Sequence, residues 1–396
     1  MQESGQGNIA AMPQVIPQAP GGAQAASAAA PAQPQVVTVA SASQDVRIEN
    51  LLEECVRLKA SDLHIQVGLP PVLRVDGALI PVAGYSALDE PTVEQLIFAT
   101  LEEDQKQILI KDKEFDYSFS FGDLGRFRVN AFHEKGNLAG AFRLIPNEVS
   151  TIADLGLPAI VSSFADFPRG LVLVAGPTGS GKSTTLAGLV DKINHEKTAH
   201  IITIEDPIEF THKSKRSVVV QREVHYDTYS FSAALRSALR EDPDVVLIGE
   251  MRDLETIKAV ITAAETGHLV LSSLHTMGAM KSINRIINAY PKESQDQIRT
   301  QLSFCLRGII SQVLIKNNFG FRNAAFECLI GTEAILNLIR NNKLHEIKSL
   351  MQMGLNDGMN TLEKSIFDLV EQKKINYDDG LKYCNDKSEF EQYFLN

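Results

Sequence analysis

"LVLVAGPTGSGKST", residues 171–184, is the stretch whose reading decides the fold. Five apolar residues run directly into a glycine loop and then into Lys-Ser-Thr. A short, unbroken apolar run bounded by Gly and Pro predicts a strand buried on both faces of a sheet. "GPTGSGKST" (176–184) fits G-x-x-x-x-G-K-[ST] in full and stands between such a strand and a helix, the context a phosphate loop requires. In that reading Gly176, Pro177, Thr178, Gly179, Ser180 and Gly181 wrap backbone groups around phosphates. Lys182 supplies a cation at the β and γ oxygens, and Ser183, followed by Thr184, ligates Mg²⁺ beside the helix N-terminus. The ligand expected is a nucleoside triphosphate, and without an N-K-x-D motif there is no sign of guanine specificity.

Downstream of this stretch, apolar strands and helices alternate. "HIITIE" (200–205), "DVVLIGE" (244–250) and "HLVLSSLH" (268–275) read as further strands, and "FSAALRSALRED" (231–242) as an amphipathic helix. Buried strands separated by helices imply a parallel sheet covered on both faces, hence an α/β fold. Past residue 292 the pattern reads as mainly helical, with "QDQIRTQLSFCLRGIISQVLI" and "TEAILNLIRNNKLHEIKSLMQMG" as examples. Upstream, "VRIENLLEECVRLKA" begins a folded region at Val46. "SDLHIQVGLPPVLRVDGALIPV" predicts two strands around a Gly-Leu-Pro-Pro turn and "FDYSFSFGDLGRFRVNAFHEKGNLAGAFRLIP" three alternating strands, with residues 91–110 between them reading as helical. The expected organisation is a disordered Ala/Gln/Pro-rich tail over 1–45, an N-terminal α+β domain over 46–147 and a linker over 148–158. An ATPase core over 159–292 and a helical C-terminal region over 293–396 follow.

Composition bounds the rest. With 396 residues, 44% of them hydrophobic, the chain can build two or three real cores. The formal charge of −11 and pI near 5.4 speak against general affinity for nucleic acid or anionic lipid. Cys55, Cys305, Cys328 and Cys384 form no C-x-x-C pair, which predicts reduced buried thiols rather than a structural zinc site. No apolar run is long enough to span a bilayer, and no Lys or Arg precedes Arg47, so a cytoplasmic protein without a secretory signal or direct membrane insertion is expected.

A phosphate loop binds but does not hydrolyse; water must be polarised, and carboxylates at the ends of neighbouring parallel strands can do that. "TIEDPIEF" places Glu205, Asp206 and Glu209 after one strand, and Glu250 follows Gly249 after another. His275 should leave its strand on the same side as these acids and could report nucleotide state. His268 starts that strand at the far end, where a structural role is expected.

The ordered run "GPTGSGKSTT", "TIEDPIEF", "ALRSALREDPDVVLIGEMRDLET" and "TAAETGHLVLSSLHT" resembles the Walker A, Asp box, Walker B and His box of the type II/IV secretion ATPases. Within that group it is most similar to PilT-like retraction motors of type IV pili. "ASDLHI", "GLPPVLRVDG", "GRFRVNAF", "PRGLVLVAGPTGSGKSTT", "VQREVHYDT" and "LSFCLRGIISQVLI" carry that similarity over residues 46 to about 375. The resemblance implies an N-terminal PAS-like domain followed by a RecA-like ATPase domain, a homohexamer, and ATP with Mg²⁺. It also implies a place at the inner-membrane base of the pilus, against the platform protein, with a second retraction ATPase as a further partner. Residue by residue it implies Lys182 and Ser183 for phosphate and Mg²⁺, Glu250 as the Walker B glutamate, Glu209 as the Asp-box acid, and His275 as the His-box residue. Arg126, Arg128 and Arg143 are the N-terminal arginines that would help complete the site. Three features depart from the family pattern: "AILNLIRNN" (334–342) has Leu336 and Asn341 where Arg and Glu are usual, Phe326 stands where a His often precedes Glu, and the 45-residue tail is extra. Competing readings are an assembly or type II secretion ATPase, an accessory retraction motor, and a nucleotide-binding regulator without sustained turnover.

Overall fold

The computed structural model describes residues 46–122, 124–145, 149–317 and 322–395. The tail expected over 1–45 lies outside the described residues, as do the last residue expected in the N-terminal domain and the first of the linker, Asn147 and Glu148. Two sheets organise everything else.

The first sheet is antiparallel. Its strands are β1 (Asp62–Gln66), β2 (Val72–Val75), β3 (Ala78–Pro81), β4 (Glu114–Phe121), β5 (Gly125–Glu134) and β6 (Asn137–Ile145), in the order β3-β2-β1-β6-β5-β4. Helices Ile48–Arg57, Glu90–Phe98 and Glu103–Asp112 accompany it. The core beneath is built from Leu51, Leu52, Leu63, Ile97, Phe127 and Phe142, all essentially buried. One sequence expectation needs correction here. "VLRVDGALIP" is a hairpin and not one strand, because Asp76 and Gly77 both take positive φ (49° and 85°), the backbone of a two-residue turn. Residues 91–110 are helical as expected, in two helices: Thr100 and Leu101 separate them, and Glu102 starts the second with a reciprocal cap from Gln105.

The second sheet has β7 (Gly170–Ala175), β8 (His200–Glu205), β9 (Val218–Glu223), β10 (Val245–Ile248), β11 (Leu269–Leu274), β12 (Leu306–Lys316) and β13 (Arg322–Ile330). Their order is β13-β12-β7-β11-β10-β8-β9, and every pair is parallel except β12 with β13. Residues Leu171–Ala175 are fully buried, as a central strand with both faces covered requires. Helices Phe231–Ala238, Leu254–Glu265, Ala279–Asn288, Gln295–Cys305 and Glu333–Arg340 cover one face. Helix Lys182–Glu196 and the segment around Val161 and Phe164 cover the other.

Three elements differ from the sequence reading. "VVVQRE" is the edge strand β9, which the pattern did not bring out. The helix expected over 231–242 ends at Ala238; Asp242 takes φ 55°, and Pro243 follows. The stretch "LRGIISQVLI", expected to be helical, is β12. The C-terminal region is mainly helical as expected, yet it gives this strand and β13 to the sheet. Buried on both faces, β12 shows no alternation, and periodicity alone does not separate such a strand from a buried helix. Its β-branched residues Ile309, Ile310, Val313 and Ile315 were the available signal.

Close packing ties β12 to the opposite layer. A Cβ at Gly308 would stand 2.4 Å from the Phe164 ring. Gly308→Ala should therefore lower the thermal midpoint, and Phe164→Leu should relieve that loss in the double variant. Phe164→Ala alone should cost about 3–5 kcal/mol, read from denaturant unfolding.

Candidate active site

The carboxyl ends of β7, β8, β10 and β11 share one edge of the sheet. Each delivers one part of the site there: the phosphate loop, Glu205 to Glu209, Gly249-Glu250, and His275. Together with Arg128 and Arg143 from the first sheet they line a cavity of about 620 Å³.

The loop is held open for an anion by its backbone. Gly176, Gly179 and Gly181 have φ of 146°, 77° and 89°, and a Cβ at Gly176 would meet the Gln312 carbonyl at 2.4 Å. Gln312, on β12, braces the loop by donating to the Ser180 carbonyl at 2.7 Å and accepting from Thr185 Oγ1 at 2.9 Å. Lys182 Nζ spans the loop to the carbonyls of Gly176 and Pro177, each at 3.0 Å. Burial lowers the affinity of this ammonium for its proton, while Glu250 and Glu209 oppose that effect. The buried Ser180 hydroxyl has no protein partner. With the free N–H groups of a helix start, the lysine and this hydroxyl fit a phosphate chain. Ser183 lines the same cavity as Glu209 and Glu250, a set of hard oxygen donors suited to Mg²⁺. Among the described residues no group of three or more His, Cys, Asp or Glu side chains forms a dedicated metal cage. A cation that takes most of its shell from phosphate and water does not need one.

Glu250 is buried at the end of β10. Its Oε1 is ion-paired with Arg252 Nη2 at 2.5 Å, and His275 Nε2 stands 3.2 Å from its Oε2. That second contact lacks hydrogen-bond geometry, so Oε2 retains accepting capacity inside the cavity. Ser273 and Ser272 on β11 donate to the carbonyls of Gly249 and Ile248, which fixes the backbone from which Glu250 projects. Glu205 accepts from Thr203 Oγ1 at 2.7 Å and from Gln221 Nε2 at 3.2 Å, but burial dominates and pushes its pKa up to about 7. Glu209 is exposed to the cavity. His268 lies at the other end of β11, with Nδ1 3.0 Å from the Ala263 carbonyl, far from these groups along the strand.

Arg128 and Arg143 face each other across β5 and β6. Like charges directly opposite in a sheet repel unless an acid or a bound anion compensates. Asp62 accepts from Arg143 Nε at 2.9 Å; burial disfavours its charge, but bonds from Ser61 and Arg143 hold its carboxyl below the usual range. Arg126 departs from the expected grouping. It does not line the cavity and is instead bound to Glu223 of the second sheet. Gln312 and Arg252 have no role in the sequence reading. Gln312 lies 127 residues from Thr185, so spacing alone could not pair them, whereas Arg252 stands inside the Walker B-like run.

A parallel sheet that ends in a phosphate loop, with acids at the ends of adjacent strands, defines a P-loop nucleoside triphosphatase. The family described as "Type II/IV secretion system protein" matches residues 40–326. The "Type IV pilus retractation ATPase PilT" of Pseudomonas aeruginosa is 49% identical over 323 residues, covering 82% of this chain and 94% of that protein. The "Twitching motility protein" of Neisseria gonorrhoeae is 46% identical over 303 residues, 76% of this chain and 81% of its own. A crystal structure of the pilus retraction motor PilT with bound ADP superimposes with a TM-score of 0.83 at 44% identity, covering 88% of this chain and all of that one. The chain belongs to the type II/IV secretion ATPases, and within them it is a PilT-like ATPase.

Two measurements test the site. Glu250→Gln should lower ATP turnover about a hundredfold or more while nucleotide binding persists. Glu205 has a higher pKa folded than unfolded, so its ionisation destabilises the fold progressively as pH rises from the ordinary carboxylate range through about 7. Glu205→Gln should therefore raise the thermal midpoint more at pH 8 than at pH 5.

Proposed function

We propose that this chain is a homohexameric motor that converts ATP hydrolysis into withdrawal of pilin subunits from a type IV pilus. The observation that carries the reading is the composition of the cavity: phosphate loop, Glu250 and Glu209 come from one sheet, and two arginines from the other. Such a site can couple turnover to the relative position of two bodies, because the charge of Arg128 and Arg143 joins that of Lys182 at the γ-phosphate only when the sheets are docked.

In this mechanism Lys182 binds the β and γ oxygens and Ser183 would hold Mg²⁺, which would supply further positive charge against the phosphates. Glu250 accepts a hydrogen bond from the attacking water through Oε2, and Arg252 keeps the carboxylate oriented through Oε1. Glu209 faces the same space and completes the acid pair. His275, beside Glu250, is placed to register whether that water and the γ-phosphate are present. Arg128 and Arg143 offset the charge that develops on the transferred group, with Asp62 holding Arg143 in line.

The similarity to retraction and twitching proteins over most of their own length supports the direction of work. Among the described residues no helix is long and apolar enough to cross a membrane. The motor's place would be peripheral, at the cytoplasmic base of the pilus, against the platform protein. An accessory role beside a second retraction ATPase is the alternative that one observation favours. In helix Glu333–Arg340, Leu336 packs against the core instead of presenting a charge, and Asn341 bonds back to Asn337.

The deciding experiment is a count of surface pili in cells carrying Lys182→Ala. More pili with lost twitching is the expected result. Bald cells would overturn retraction in favour of assembly, and unchanged numbers would favour the accessory role.

A further inference from the structure

The segment "VQREVHYDT" (220–228) lies outside the cavity, yet the first sheet and its helix Glu103–Asp112 each grip it. Gln105 Nε2 donates to Tyr226 Oη at 3.1 Å, and Ser118 and Arg126 converge on Glu223. Glu223 ends the edge strand β9 with its side chain only 3% exposed, and it is unusually committed for one carboxylate. Its Oε1 accepts from Ser118 Oγ at 2.7 Å, and its Oε2 accepts from Arg126 Nη2 at 2.7 Å and from the backbone N–H of Ile208 at 3.2 Å. Ile208 immediately precedes Glu209. One carboxylate thus receives two donors from the first sheet and one from the loop that carries a cavity acid.

We propose that Glu223 is a positioning residue that ties the placement of the Glu209 loop to the docking of the first sheet through Ser118 and Arg126. The proposal rests on the reading of Glu209 as an acid of the hydrolytic site. The linkage is physical: Arg126 and Ile208 share Oε2, so any shift of β4 and β5 that displaces Arg126 moves or reorients the oxygen that holds the loop. The pair is also not built as a rigid clamp. Arg126 uses only Nη2, which bonds Ser118 Oγ at 2.6 Å as well as Glu223, while its buried Nε has no partner. A bidentate fork would hold this geometry more firmly. Arg126 therefore acts on turnover through Glu223, whereas Arg128 and Arg143 face the nucleotide space.

Steady-state ATPase kinetics and thermal midpoints of the full chain test this with Glu223→Gln, Arg126→Gln, Arg126→Lys, the Gln/Gln double variant and Glu209→Gln. Each single Gln substitution at the pair should lower kcat about tenfold, because a small misplacement of a cavity group is costly. KM for ATP should stay within about twofold. The double variant should be no slower than the worse single one, since both break the same link, and Arg126→Lys should recover most of the rate. Multiplying effects in the double variant, a rise in KM at constant kcat, or a wild-type rate in Glu223→Gln would overturn the proposal. Where Glu223→Gln lowers the thermal midpoint enough to account for its slower rate, Ser118→Ala decides. That variant leaves both charges in place, and a severalfold lower kcat supports the link whereas an unchanged kcat refutes it. A fully active Glu209→Gln would remove the assignment of Glu209 and the proposal with it. An inactive Glu209→Gln beside a fully active Glu223→Gln would remove the proposal alone.

Discussion

The structure depends on β7 being buried on both faces and bonded on both edges. With β11 on one side and β12 on the other, its backbone has no freedom to shift, and the loop that follows it inherits that rigidity. Parallel pairing then does the remaining positioning, because strands that run the same way deliver all their carboxyl ends to one edge. Four loops distant in sequence therefore meet at one cavity. A phosphate-binding backbone tolerates little displacement, which explains why the most constrained strand carries it and why Gln312 of the adjacent β12 braces it from the side.

Charge is the second organising quantity. The second sheet contributes Lys182, Arg252 and Arg322 to the cavity beside Glu205, Asp206, Glu209 and Glu250, and burial raises Glu205 far above its usual range. Two further arginines come from β5 and β6, where the like charges stand opposite each other with Asp62 beside Arg143. Acids and cations of the second sheet and arginines of the first therefore line one cavity, and the facing charges of Arg128 and Arg143 are the part of it that an anion would offset.

The same logic separates the three arginines. Arg128 and Arg143 occupy one row across the sheet and face the cavity. Arg126, two residues from Arg128 on β5, engages the rim of the other sheet through Glu223. Residues close in sequence thus divide into a group that meets the ligand and one that holds the sheets together.

What the sequence by itself determined was local. The phosphate loop, the short apolar strands that lead into the site and the position of each acid after its strand could be read directly, because a turn, a buried strand or a cap is specified by adjacent residues. The Asp76-Gly77 turn is specified in the same local way. The sequence could not decide between strand and helix for "LRGIISQVLI", since full burial erases the alternation that distinguishes them. It also could not pair Gln312 with Thr185 or Arg126 with Glu223. Those contacts were decided only by the tertiary structure, because strand order and the approach of the two sheets set distances between residues up to 127 positions apart, and no local spacing encodes them.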